Sequence, residues 1–236
     1  MALPKINETP GYEMVIPSTG KKVKYRPFLV KEQKILMIAS ESQDRKQILG
    51  AMLDTLISCV SDKIDLNSLA TFDVDYMFTQ IRAKSVGEKT TLVNKCEKCE
   101  EGTEFTLNLD DIKPPKVKQN IKIKLTDSIS VLMKYPSYNA FVNNDKILVE
   151  DNQTETLMEF VIECMDSIIT EDEQIRLKDE SKEEIQTFID SLTGEQFKLL
   201  AAFISDLPKL THTFTVNCSK CTHTNVKTLE GIEDFF

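Results

Sequence analysis

The chain shows the same succession of apolar and polar patterns twice. Two short runs of alternating residues joined by a turn predict a β-hairpin at 12–27, and a similar pair predicts a second hairpin at 121–136. Proline ends each hairpin, at Pro27 and Pro136. Apolar residues at i, i+3 and i+4 spacing then predict amphipathic helices in each half. The longest of these predicted helices cover 48–60, 71–85, 154–165 and 193–207.

The second half also contains a polar stretch and two marked helix starts. Residues 166–182 are acidic and polar, and this composition predicts a surface loop with short ordered pieces. Ser181 precedes Glu184 by three positions, and Thr193 precedes Gln196 by three. This spacing predicts capping boxes, in which the hydroxyl and the later side chain bond to each other's backbone N–H groups.

Four of the six cysteines occur in two C-x2-C pairs, each at the end of an alternating run. Cys96 and Cys99 form the first pair, and Cys218 and Cys221 lie 122 positions further on. The two-residue gap allows both sulfurs of a pair to point into one concavity, which is the geometry of a zinc knuckle. We therefore predict one structural Zn²⁺ per chain, held by these four thiolates and joining the two halves.

Other roles for the cysteines stay open at this point. The paired thiols could be unligated, could bind a partner, or could carry redox chemistry, although a redox C-x-x-C usually begins a helix. His212 and His223 are alternative ligands, but four cysteines already complete a tetrahedral shell. Cys59 and Cys164 lie in apolar helical patterns, which predicts that both thiols are buried.

The repeated patterns define the predicted fold. We expect an α+β protein of two topologically similar lobes, each with a hairpin, helices and a zinc knuckle, joined by a zinc-ribbon-like site. The Pro114-Pro115 pair is the best boundary between them. The first lobe would cover 1–113, including an irregular N-terminal arm, and the second 114–236.

Composition narrows the classes of function. Thirty-eight acidic and 29 basic residues give a net charge of −9, which disfavours a nucleic-acid-binding surface. The chain has no apolar run long enough to span a membrane and no secretory signal pattern, so we expect a reducing cytoplasm. We find no phosphate-binding loop and no nucleophile motif, and a closed four-cysteine site would not activate water. These observations predict a protein that is not an enzyme.

Three segments carry a resemblance to a known family. They are Met-Ala-Leu-Pro-Lys at 1–5, the basic stretch at 17–36, and Ile-Arg-Ala-Lys-Ser-Val-Gly-Glu at 81–88. With them the chain resembles T4-type bacteriophage baseplate hub assembly proteins, most closely over its first 100 residues. The resemblance implies a non-enzymatic role in building the baseplate hub, other hub proteins as partners, and a location in the host cytoplasm or the virion baseplate. A different class, a zinc-ribbon nucleic-acid or transcription accessory protein, would need a basic stripe on one face.

The basic strand of the first hairpin is the candidate partner surface. Lys24, Tyr25, Arg26 and Phe28 place basic and aromatic side chains on this strand and its exit, whereas the matching segment at 130–137 is nearly uncharged. Arginine and tyrosine are enriched at the energetic centres of interfaces, and a basic strand can steer a protein to an acidic partner. A solvated hairpin whose lysines prevent edge-to-edge pairing is the alternative interpretation.

Overall fold

The computed structural model describes residues 10–65, 69–143 and 153–232, and these fall into two compact units. Among these residues, the first unit contains 10–65, 72–116 and 209–232, and the second contains 69–71 and the remainder of 117–208. The units differ from the expected lobes, because the C-terminal hairpin groups with the first unit and residues 69–71 group with the second. The N-terminal arm at 1–9 lies outside the described residues.

Over the ranges given above, the first unit contains three α-helices and three two-stranded antiparallel hairpins. Asp44 caps the second helix by accepting from the N–H groups of Lys46 and Gln47. Its elements are β1 (Tyr12–Val15), β2 (Lys22–Tyr25), α1 (Val30–Ser42), α2 (Arg45–Cys59), α3 (Thr71–Val86), β3 (Lys89–Lys95) and β4 (Gly102–Asn108), with β9 (Thr211–Asn217) and β10 (Thr224–Glu230) from the chain's end. Helix α3 begins at the boundary between the units and lies almost wholly in the first.

Two apolar clusters of the first unit connect its C-terminal segment to earlier elements. Ile232 packs with Met52 of α2 and Phe78 of α3. Leu210, which is fully buried, packs with Ala83 and Leu107. These contacts remove apolar surface from water and hold the hairpin β9–β10 in this unit.

In its described residues, the second unit combines a four-stranded antiparallel sheet, in the order β5-β6-β7-β8, with four α-helices. Its strands are β5 (Ile121–Lys124), β6 (Ser130–Met133), β7 (Met165–Ile169) and β8 (Gln174–Arg176), and its helices are α4 (Tyr138–Asn143), α5 (Gln153–Cys164), α6 (Lys182–Asp190) and α7 (Gly194–Ser205). Val131, Cys164 and Leu200 are fully buried within its apolar core. Both predicted capping boxes are present, at Ser181 and at Thr193.

The segment 166–182, predicted as a surface loop, is partly strand. Strand β7 begins immediately after α5 and pairs with β6, and β8 then pairs with β7. A 3-10 turn at Leu177–Asp179 follows. The sequence predicted short ordered pieces in this segment, but not that they are strands of a sheet. Helix α5 and strand β7 meet without a turn residue between Cys164 and Met165, so no sequence signal marks where the strand begins.

Candidate metal centre

The two C-x2-C pairs lie at the turns of hairpins β3–β4 and β9–β10, which match each other at the 122-residue offset. Adding 122 to the bounds of β3 and β4 gives the bounds of β9 and β10. The strand register also agrees, since Lys95 pairs with Gly102 and Asn217 pairs with Thr224. The repeated sequence pattern therefore produces two hairpins of the same construction.

Backbone hydrogen bonds shape both turns in the same way. The N–H of Cys96 donates to the Glu101 carbonyl at 2.9 Å, and the N–H of Cys218 donates to the His223 carbonyl at 2.9 Å. Two residues after the first cysteine of each pair, a backbone N–H points at its sulfur. The donors are Lys98 to Cys96 Sγ and Lys220 to Cys218 Sγ, both at 3.4 Å. N–H groups aimed at sulfur favour the thiolate, which is the form that binds metal.

Each turn closes through a residue in the left-handed region. Glu100 has φ 59° and Thr222 has φ 56°, again 122 positions apart. Such a conformation is uncommon for residues other than glycine, asparagine and aspartate. Its N–H donates to the carbonyl of the first cysteine, at 2.9 Å for Glu100 and 3.1 Å for Thr222. The same uncommon geometry at both sites brings the second cysteine of each pair back toward the first.

The four sulfurs converge on one point. Cys99 Sγ lies 3.5 Å from Cys218 Sγ and 3.4 Å from Cys221 Sγ, and Cys96 Sγ lies 3.7 Å from Cys221 Sγ. All four sulfurs lie within 4.8 Å of one another. Zn–S bonds of about 2.3 Å in a tetrahedron place sulfurs about 3.8 Å apart. The arrangement thus has the size and the donor set of a four-thiolate zinc site.

The thiols differ in how readily they ionise. Backbone N–H groups of Cys221 and Lys220 donate to Cys218 and lower the pKa of its thiol to about 6. Burial opposes ionisation of Cys96, but N–H groups of Lys98 and Cys99 outweigh it and lower its pKa. The N–H of Glu101 favours the Cys99 thiolate, whereas hydrogen bonds with the other sulfurs and desolvation raise its pKa to about 12. Within the first pair, Cys96 is therefore more readily ionised than Cys99.

Two reciprocal hydrogen bonds hold one turn against the other. The N–H of Glu97 donates to Asn225 Oδ1 at 3.0 Å, and the N–H of Ser219 donates to Thr103 Oγ1 at 3.2 Å. The donors are 122 positions apart, and so are the acceptors. Away from the turns, the rings of Phe105 and Phe214 stack with their centroids 4.2 Å apart. Hydrogen bonds and ring stacking therefore position the two cysteine pairs.

A family model described as T4 bacteriophage base plate protein matches residues 9–236. The chain belongs to this family. No curated protein and no solved structure matches it. The family makes the chain a phage baseplate protein with a structural or assembly role, and the resemblance noted in the sequence is confirmed at that level.

The remaining thiols and the histidines of this baseplate protein do not join the cluster. Among the described residues, the cysteine quartet is the group whose ligand atoms lie close enough to share an ion, and neither His212 nor His223 belongs to it. Desolvation raises the pKa of Cys59 to about 11 and that of Cys164 to about 12. Both are buried in helices, as the sequence predicts. Within the described part of the chain, no helix is long and apolar enough to cross a membrane.

The candidate partner residues on β2 and just after it are not presented together at the surface. Tyr25 and Phe28 are buried in the first unit, whereas Lys24 is exposed. Arg26 is half-buried and donates to Glu32 Oε1 at 2.8 Å and to the Ser58 carbonyl at 2.9 Å. The structure thus buries the two aromatic side chains and leaves Lys24 in solvent.

Sequence reasoning missed two residues of the centre, Thr103 and Asn225. Asn225 is buried and also donates to the carbonyls of Val216 and His223. A signal was available, because both residues lie on the inward face of an alternating strand, where an apolar side chain is the ordinary choice. Positions 103 and 225 are also 122 apart, the same offset that relates the two cysteine pairs, which marks them as equivalent positions of the two hairpins.

Proposed function

We propose that this chain is a non-enzymatic protein that assembles the central hub of the baseplate, as an assembly factor or a minor hub component. The observation that carries this proposal is the family match over residues 9–236. A second observation agrees with it. The candidate centre offers four sulfurs and, from the part of the chain that the structure describes, no further ligand, which suits holding structure rather than activating water.

Co-expression with each of the other hub proteins of the same phage tests the hub assignment. A tagged chain should co-purify with at least one of them at a fixed stoichiometry, measured by size-exclusion chromatography with light scattering. Baseplate proteins from outside the hub serve as the comparison set. Binding to those proteins alone would remove the hub assignment while leaving the baseplate role.

We propose further that the four cysteines hold one structural Zn²⁺. Metal analysis of the purified protein should give about one zinc per chain, and the Cys96→Ser, Cys99→Ser double variant should contain none. Cys164→Ala is the matched control, since its thiol is buried outside the cluster and its loss should leave the zinc content unchanged. Full zinc in the double variant would show that the two pairs do not share a metal.

We infer also that the two halves of the chain, 1–113 and 114–236, derive from a duplicated lobe. Equivalent hydrogen bonds support this: the N–H of Arg26 donates to the Cys59 carbonyl at 3.0 Å, and the N–H of Lys134 donates to the Cys164 carbonyl at 2.7 Å. In each unit the residue after the second hairpin strand thereby contacts the end of a helix. An experimental structure in which β1–β2 with α2 fails to superpose on β5–β6 with α5 would count against a common origin.

A further inference from the structure

Helix α1 exposes apolar side chains that a helix of this length normally buries. Val30 is 79% exposed, Met37 57%, Ile38 56% and Ile35 50%. A helix on the surface of a globular protein usually turns such residues toward the core and its charged residues toward water. In α1 the buried residues are Glu32 and Ala39. The apolar face of α1, defined by Val30, Ile35, Met37 and Ile38, therefore lies open to solvent.

The charge around this face has one sign. Between positions 14 and 40 the chain has six basic residues and one acidic residue, although its net charge is −9. The single acid, Glu32, is buried and accepts from Arg26 at 2.8 Å and from the N–H of Leu29 at 2.8 Å. Lys31 and Lys34 of α1 are exposed. The accessible charge over these residues is therefore basic.

We propose that the apolar face of α1 is the docking surface for another baseplate protein, whose own contact surface carries apolar side chains bordered by carboxylates. This inference rests on the proposed function. Charge complementarity selects the partner, because carboxylates beside an apolar stripe would pair with Lys31 and Lys34 as the apolar side chains leave water. The 13 residues of α1 span about 20 Å, which suits an amphipathic helix packed alongside.

Three variants and a control test the surface. Met37→Ser with Ile38→Ser removes apolar contacts, and Lys31→Glu with Lys34→Glu reverses the charge. Val30→Ser with Ile35→Ser removes the apolar side chains at the other two positions of the face. This second pair keeps the test valid if the first pair disturbs the helix itself. Leu199→Ser is the control, because Leu199 is 49% exposed on α7 of the other unit. All four changes are at exposed side chains, so the melting temperature should stay close to that of the wild type.

Each variant is mixed with purified baseplate proteins of the same phage, taken one at a time, and the affinity is measured at low and at physiological salt. We expect one of these proteins to bind the wild type, with at least about tenfold weaker binding for both serine pairs and the charge reversal. The Leu199→Ser control should bind like the wild type. Higher salt should weaken binding of the wild type more than binding of the charge-reversed variant.

The outcomes separate this inference from the proposed function. If no baseplate protein binds the wild type, both proposals fall. If one binds and the serine and glutamate variants bind it equally well, α1 is not the docking surface, while the baseplate role stands. Two other occupants are tested directly: co-sedimentation with phosphatidylglycerol vesicles, and dimerisation in analytical ultracentrifugation. If the wild type binds the vesicles or dimerises, and the serine variants do not, the proposal is overturned. The apolar face of α1 would then bind a membrane surface or a second copy of the chain.

Discussion

Removing half of the metal centre should destabilise the first unit by a predictable amount. The perturbation is the double variant Cys218→Ser, Cys221→Ser, which leaves the sulfurs of Cys96 and Cys99 without their partners. The contacts that ligation would fix join residues 119 to 125 positions apart. A metal shared by the two pairs acts as one cross-link between them. A cross-link that closes a loop of this length lowers the entropy of the unfolded chain, which stabilises the folded state by about 5 kcal/mol.

This magnitude is large relative to the stability of a typical domain, which is about 5 to 15 kcal/mol. For a chain of this size, each kcal/mol corresponds to a shift of about 2 to 4 °C in melting temperature. The variant should therefore melt roughly 10 to 20 °C below the zinc-loaded wild type. Chelation of the wild type should produce a shift of similar size, reversible on return of zinc.

The assay is differential scanning calorimetry of the two proteins, with zinc content measured on the same samples. Cys164→Ala again serves as the control, because its buried thiol lies outside the cluster and its cost is only that of a small cavity. A variant that has lost its metal but melts within about 2 °C of the wild type would refute the reasoning, since a cross-link of this span cannot be so weak.

Three further predictions concern single side chains. Burial disfavours the Glu32 carboxylate, but hydrogen bonds led by that of Arg26 outweigh it and hold its pKa below the ordinary 4.5. Glu32→Gln should therefore cost about 2 kcal/mol near neutral pH, and the difference from the wild type should shrink as pH falls through the folded-state pKa, as followed by urea unfolding. Asn225→Ala should cost about 1 to 3 kcal/mol and weaken zinc retention in a chelator competition, whereas Asn217→Ala, on the exposed face, should leave zinc retention unchanged. Ser181→Ala removes the hydroxyl of a capping box and should cost about 1 kcal/mol in thermal unfolding.

Local patterns allowed much of the structure to be predicted from the sequence. Helix α3, expected at 71–85, extends from Thr71 to Val86, and the first hairpin lies within the expected 12–27. The convergence of the four cysteines was predicted from two matched spacings, and it is found. Both features depend on short stretches of sequence, in which hydrophobic periodicity and turn residues determine the local structure. The identity of the bound metal stays a prediction.

Features that depend on contacts between distant parts of the chain were harder to predict from the sequence. Nothing in the sequence indicates that Ile232, two residues after β10, packs with Met52 and Phe78, because apolar side chains do not specify their partners. The burial of Tyr25 could have been predicted, since Val23 and Tyr25 alternate with exposed lysines on β2. The tyrosine side chain suggested a role in partner binding. The alternation of exposed and buried positions along β2, however, already indicated that Tyr25 lies on the inner face of the strand.

The discontinuous make-up of the first unit has a consequence for protein synthesis. On the ribosome, residues 72–116 emerge well before 209–232, and the whole of 117–208 is translated between them. Until the last hairpin is made, Cys96 and Cys99 lack the sulfurs that complete their site, and Leu107 lacks its neighbour Leu210. The first unit therefore completes its fold after translation of the second, so prematurely terminated chains are left with an open apolar surface and with two thiols that lack their partner sulfurs.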